Sequence, residues 1–336
     1  MKNSPKKIFK ISSFNNLVVS IFVIGYRNVG ESIVVLFRDV YRGVDDVKMS
    51  MVIDSYEIGD LNMTKKILSK FNVSKLDFVC WTHPHCDHSM GIDTLVKDNF
   101  HDDMVIFSPK FYFGNLSQDI LSSESLKTHE IYSNIRKIVE GSHNEQNIWR
   151  TISAYGDTTC QYPLKIISED NDSSKDVYLY FLTPLGSRTD KYAIKGKEFS
   201  SPNELSVSFV LSIDGYDFFF GGDIEDSHAS SISEEIIKSM RWIKVPHHCS
   251  LKATKIVDRI GERLDYAVST VYKSSGLPKE EIQNKYAQYC DLHMTQLEEN
   301  NNYQIQKELR WLGHRSLFIV SGKLGVEIVP CALTEG

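Results

Sequence analysis

Trp81-Thr82-His83-Pro84-His85-Cys86-Asp87-His88-Ser89-Met90-Gly91 is the stretch whose reading decides the fold, and it follows directly on the apolar run Leu76-Asp77-Phe78-Val79-Cys80. Three imidazoles and one carboxylate fall within six residues. An extended chain sends alternate side chains to one side, so His83 and His85 can grip one ion, while a turn after them presents Asp87 and His88 to another. A single histidine would read as solvated surface; four ligand-type side chains at this spacing, perched on a strand end, point to a two-metal site.

The flanking sequence fits a sheet that delivers this motif. Leu17–Ile24, Ser32–Phe37 and Met49–Asp54 are apolar, β-branched runs separated by the turn-formers Asn28-Val29-Gly30 and Gly43-Val44-Asp45-Asp46. Asp60–Lys70 carries apolar residues at helical spacing, so a strand–helix–strand crossover predicts His83 at a strand's carboxyl end, where such sheets place their sites. Further on, Ser206–Ile213 and Tyr216–Phe220 flank Asp214-Gly215, a strong hairpin signal, and the second strand ends in Gly221-Gly222-Asp223. Beside the first motif, Asp223 is expected to bridge ions held about 3.5–4 Å apart. Arg241–Val245 is another short apolar run, ending in Pro246-His247-His248-Cys249-Ser250.

His83-x-His85-x-Asp87-His88, preceded by Thr82 and followed by Gly91, resembles the signature of the metallo-beta-lactamase fold superfamily of binuclear metallohydrolases, and the order of motifs matches that superfamily from Ile53 to Ser250. The resemblance implies an α/β four-layer fold, an αββα sandwich of two mixed sheets flanked by helices. It is expected to form a single domain over residues 1–336, with a helical insertion around 111–161 that supplies a lid, a homodimer surface or a docking site for a partner protein. The implied metal ligands are His83, His85, Asp87, His88, Asp223 and His248, holding two divalent ions, Zn²⁺ or Mn²⁺. His248 is favoured as the direct ligand, with His247 behind it or facing substrate. Asn203-x-x-Ser206, Gly222-Asp223 and Lys244-Val245-Pro246-His247-His248-x-Ser250 look like the nuclease-like hydrolase domain of bacterial competence DNA-uptake proteins.

Two departures stand out. Cys249 occupies a position where that branch carries glycine. The region from Phe181 to Asn203 holds no histidine to complete the His83/His85 set, leaving Asn203, Asp190, Glu204 or water for that position. This site is therefore expected to be the weaker one and to lose its metal first.

Composition narrows the remaining classes. With 41% hydrophobic and 24% charged residues, the 336-residue chain can bury a large core. A net charge of -6 and a pI near 6.0 argue against tight non-specific binding of nucleic acid over the whole surface. The six cysteines form no C-x-x-C pair, which suits reduced thiols and a cytoplasmic location. Leu17–Gly25 is too short to span a bilayer and reads as a buried strand, so no membrane association is expected. The expected function is a metal-dependent hydrolase, a phosphodiesterase or nuclease acting on nucleic acid or nucleotides through a metal-activated water. Asp87 would orient that water or take its proton, and His247 or Ser250 would contact the phosphate or leaving group. The alternative is attack on a carbonyl, in a lactone, thioester or β-lactam. A degenerate binding module would need broken ligands, and the ligand types are in place.

Overall fold

The computed structural model describes residues 5–26, 29–58, 61–110, 123–142, 148–154, 160–170, 172–187, 189, 202–261, 264–295, 317–323 and 329–330. Within them, sixteen of the eighteen strands build two eight-stranded sheets. In the first half the strands are β1 (Lys7–Ile11), β2 (Leu17–Tyr26), β3 (Gly30–Tyr41), β4 (Val44–Ile53), β5 (Glu57–Ile58), β6 (Leu61–Asn62), β7 (Phe78–Cys80), β8 (Val105–Pro109) and β9 (Trp149–Ile152). The second half supplies β10 (Cys160–Ser168), β11 (Ser174–Thr183), β12 (Ser208–Ile213), β13 (Tyr216–Phe220), β14 (Met240–Lys244), β15 (Tyr266–Ser269), β16 (Asp291–Met294), β17 (Leu317–Lys323) and β18 (Val329–Pro330).

One sheet runs β18-β17-β2-β3-β4-β7-β8-β9 and the other β1-β10-β11-β12-β13-β14-β15-β16. Both change character midway. Antiparallel hairpins end at β4 and β13, and from there each pairing is parallel, β4 to β7 and β13 to β14 included. Parallel pairs need crossovers, and the helices supply them. These are α1 (Met63–Lys70), α2 (Cys86–Ser89), α3 (Ile92–Asn99), α4 (Ser123–Glu140), α5 (Asp226–Ala229), α6 (Glu234–Ser239) and α7 (Glu280–Tyr286).

Alternation along the strands sorts the apolar residues into three layers. Inward-facing residues of both sheets, among them Val19, Val35, Met51, Phe78 and Phe107 against Leu164, Leu179, Phe181, Phe209 and Trp242, form one shared core. Phe107 meets Phe181 across it, ring centroids 4.7 Å apart. The other face of the first sheet (Val34, Val52, Val79, Ile106) packs on Met63 and Ile67 of α1, Leu95 of α3 and Ile135 of α4. The other face of the second sheet (Val210, Phe219, Ile243, Ala267) packs on Ile237 of α6 and on Ile282 and Tyr286 of α7. The four layers are thus helix, sheet, sheet, helix, as the histidine motif implied.

Three local details differ from the pattern reading. The β3–β4 turn falls at Arg42-Gly43, with φ of 49° and 81°, because two left-handed residues match the twist of a two-residue hairpin and let both strands extend. Helix α1 starts at Met63 because the Asn62 side chain caps it, accepting from Lys65 N–H. β1 leaves the first sheet and pairs in parallel with β10 of the second. Of the expected insertion, α4 lies among the described residues and covers the first sheet, whereas 111–122, 143–147 and 155–159 lie outside them. No helix among the described residues is long and apolar enough to cross a membrane.

Candidate metal centre

The motif residues sit where the two sheets' parallel halves meet. β7 ends at Cys80, and the chain runs through buried Trp81, Thr82 and His83 into α2, which carries Asp87 and His88. From the other sheet, β13 ends at Phe220 and the Gly221-Gly222 turn swings Asp223 inward. Gly222 has φ 52°, and a Cβ there would lie 2.5 Å from Ser206 Oγ, the atom that accepts the Asp223 N–H bond at 2.8 Å. β14 leads through Val245 to the 3-10 turn Pro246–Cys249, in which His247, His248 and Cys249 take φ of 49°, 51° and 60°. Such conformations cost L-residues about 1–2 kcal/mol each and persist where the surroundings impose them. Here they send neighbouring histidines to different places, His248 to the cluster and His247 towards Asn203 and Glu225.

Besides Asp54, His83 and His88, two three-residue groups among the described residues have their ligand atoms within 4.8 Å of one another. One is His83, His85 and Asp223; the other is Asp87, His88 and His248. Asp223 adjoins both. Its Oδ2 lies 3.9 Å from His83 Nε2 and 3.7 Å from His248 Nε2, and its Oδ1 lies 3.6 Å from His88 Nε2. Asp87 Oδ2 is 3.6 Å from His88 Nε2 and 3.8 Å from His248 Nε2. His83 Nε2 and His85 Nδ1 face each other at 3.0 Å. The position for which the sequence offered Asn203, Asp190 or Glu204 is therefore faced by Asp223. Asn203 instead points its amide nitrogen at Glu225 and His247, and Asp190 lies outside the described residues.

Each buried imidazole is held from behind. Thr82 N–H and Oγ1–H donate to the two oxygens of Asp54, at 2.7 and 2.6 Å. Asp54 Oδ2 also lies 2.7 Å from His88 Nδ1, while Thr82 Oγ1 lies 2.9 Å from His83 Nδ1. Thr270 Oγ1 holds His248 Nδ1 at 2.7 Å. In all three rings Nδ1 is engaged and Nε2 points inward, the arrangement that outer-sphere partners impose on metal-ligating histidine. Ser250 has a different place: its Oγ accepts from Lys252 N–H at 3.2 Å and fastens the loop after the turn.

The cluster's electrostatics fit a cation. His88 Nε2, His248 Nε2 and Asp223 Oδ1 are buried polar atoms with no hydrogen-bond partner, and they face one another. Burial alone would push His88 down, yet Asp223, Asp87 and Asp54 together hold it well above the usual imidazole range. Burial raises Asp87 to about 7, with His88 opposing and Asp223 adding to it. Asp223 resists burial and stays well below the carboxylate range because His248, His88 and His247 surround it. His248 itself is lowered to about 4, chiefly by burial. Carboxylates and imidazole nitrogens crowded into a buried cluster are the donor set of a divalent cation site.

Sequence reasoning did not assign roles to Asp54, Thr82, Thr270, Glu31 or Glu225. Gly30-Glu31-Ser32 and Val52-Ile53-Asp54 read from sequence as strand-flanking segments that resemble the opening of the superfamily fold, without a role for either carboxylate. No family model and no curated protein sequence matches this chain. Among solved structures it is similar to a diphosphatase of the PhnP family, at 11% identity over 90% of this chain and 98% of that one, with a TM-score of 0.38. It is also similar to the short form of human tRNase Z, at 12% identity over 82% and 93% of the two chains, with a TM-score of 0.37. Superpositions this loose say nothing about the reaction, and the chemistry follows from the side chains.

Proposed function

We propose that the protein is a metal-dependent hydrolase that cleaves phosphodiesters in nucleic acid or nucleotides. The supporting observation is Asp223, whose two oxygens reach both three-residue groups. In this reading His83, His85 and Asp223 would hold one divalent ion, and Asp87, His88 and His248 the other, with Asp223 near enough to serve both. Ions so placed lower the pKa of water and neutralise charge on the attacking and leaving oxygens of an in-line displacement.

The chain's own residues do the rest. Asp54, Thr82 and Thr270 orient the rings, and Asp87 on α2 would orient the attacking water or take its proton. His247, whose Nδ1 is buried 3.8 Å from Glu225 Oε1, is placed to meet the leaving group. Ser250 shapes the loop that carries both histidines. The likeness to competence-protein hydrolase domains rests on sequence alone, and Asn203, Ser206, Lys244, His247 and His248, which carry it, surround the cluster. Purified protein loaded with Mn²⁺ or Zn²⁺ and offered single- and double-stranded DNA, RNA, bis(p-nitrophenyl) phosphate and a lactone tests the proposal. Phosphodiester turnover is expected; turnover of the lactone alone would place the protein among carbonyl hydrolases instead.

A further inference from the structure

The geometry assigns to Glu31, fixed by Lys244, a positioning role: through the hydroxyl of Thr270 it sets the tautomer of His248, so that the ring offers a bare Nε2 to the cluster. The inference rests on the proposed metal-binding function and concerns Glu31 and Lys244, to which that function gives no task. A neutral imidazole carries its proton on one nitrogen, and only the other can accept a cation. His248 Nε2 is the nitrogen that faces Asp87 and Asp223, at 3.8 and 3.7 Å, so for it to hold a cation there the ring proton must sit on Nδ1.

Nδ1 lies 2.7 Å from Thr270 Oγ1, and a hydroxyl has a single proton to give. Thr270 gives it to Glu31 Oε2, a short hydrogen bond buried between the sheets. With that proton committed, Oγ1 can only accept from Nδ1, and Nε2 is left bare. The direction of the whole relay therefore depends on Glu31 being an acceptor. Lys244 ensures this: its Nζ lies 2.8 Å from the same Oε2, with side chains 1% and 2% exposed, and an ammonium can only donate. A second Lys244 bond, 3.2 Å to Val245 O, anchors the ammonium at the end of β14.

A buried ion pair is a poor way to gain stability, because an apolar pair of similar volume often does as well or better. Directing a hydrogen-bond chain is something an apolar pair cannot do. Asp54 acts the same way through Thr82 on His83, so a carboxylate–threonine–histidine relay stands behind a ring from each sheet. Glu31 belongs to β3 of one sheet, whereas Lys244 ends β14 and Thr270 directly follows β15 of the other. The relay thus reaches His248 from the sheet opposite its own.

The test uses the full-length protein, ¹⁵N-labelled at histidine and stripped with chelator, at a pH where His248 is neutral. Long-range ¹H–¹⁵N spectra then report which nitrogen bears the proton, with His248→Asn providing the assignment. Wild type and Thr270→Ser are expected to show Nδ1–H. Thr270→Val, which removes the hydroxyl, and the apolar double variant Glu31→Leu/Lys244→Met, which removes the acceptor, are expected to show a rise in Nε2–H. Their affinity for added Zn²⁺ should fall about 10-fold or more, the usual effect of losing an outer-sphere partner, with Thr270→Ser near wild type. Wild type carrying its proton on Nε2 overturns the inference. So does a folded Thr270→Val variant with the wild-type tautomer or the wild-type affinity. The spectra need neither metal nor turnover, so a protein that binds no ion would refute the proposed function and leave the tautomer assignment to be decided on its own.

Discussion

Asp223 is the residue that adjoins both three-residue groups, with Oδ1 facing His88 and Oδ2 facing His83 and His248. Asp223→Asn keeps the shape and removes the charge. The expected result is a bound-metal content reduced by about half or more and turnover lowered about 10²-fold or beyond, read by elemental analysis and phosphodiester kinetics on one preparation. Protons compete with metal for the same atoms. Because burial places Asp87 at about 7 and the carboxylates around His88 hold it well above the usual imidazole range, lowering the pH through about 7 adds protons to ligand atoms and must weaken the apparent affinity. Calorimetric titration with Zn²⁺ at a pH about one unit either side of 7 should show tighter binding on the alkaline side, and equal affinities would contradict the assignment of Asp87 as a ligand. Cys249 supplies a different residue-scale test. It holds a left-handed backbone, with φ 60°, and a buried thiol that burial raises to about 11. Cys249→Ala loses the sulfur and retains the strain, while Cys249→Gly loses both, so the glycine variant should be the more stable of the two by about 1 kcal/mol in urea unfolding.

At the scale of elements, the site is made by strand ends and the turns that follow them. The Gly221-Gly222 turn is the most demanding, because a Cβ at Gly222 would meet Ser206 Oγ at 2.5 Å and Val207 O at 3.0 Å. Gly222→Ala is expected to destabilise the fold by about 2 kcal/mol or more and to release metal as Asp223 shifts; a variant with wild-type stability and metal content would show that the turn adapts. How much of this could be read from the sequence depends on distance along the chain. The His83–His88 spacing is local, so both its strand-end location and its cluster were legible, and Asp214-Gly215 announced its hairpin in two residues. Asp54 to Thr82 spans 28 residues and Thr270 to Glu31 spans 239, and no periodicity encodes which buried carboxylate will meet which hydroxyl. The completion of the His83/His85 set was sought between Phe181 and Asn203, whereas Asp223, already read as a bridge, faces that position.

The whole molecule is held by the core between the sheets, and the centre lies where the loops of both sheets converge. Separating the sheets therefore dismantles the site. Phe107→Ala, which removes a ring that meets Phe181 across that core, is expected to cost about 3–5 kcal/mol and to lower the thermal midpoint with and without metal. Ions that bind only the folded chain should raise that midpoint in wild type, and less so in Asp223→Asn. The αββα order was implied by the motif, but the placement of β1 in the second sheet was not, because an edge strand such as Lys7–Ile11 carries no mark of its partner. The most direct measurement is a titration of chelator-stripped protein with Mn²⁺ or Zn²⁺ while hydrolysis of bis(p-nitrophenyl) phosphate is followed. The expected result is no activity in the stripped protein and a rise that saturates near two ions per chain. Activity that survives stripping, or its absence at every loading, would contradict a metal-dependent phosphodiesterase.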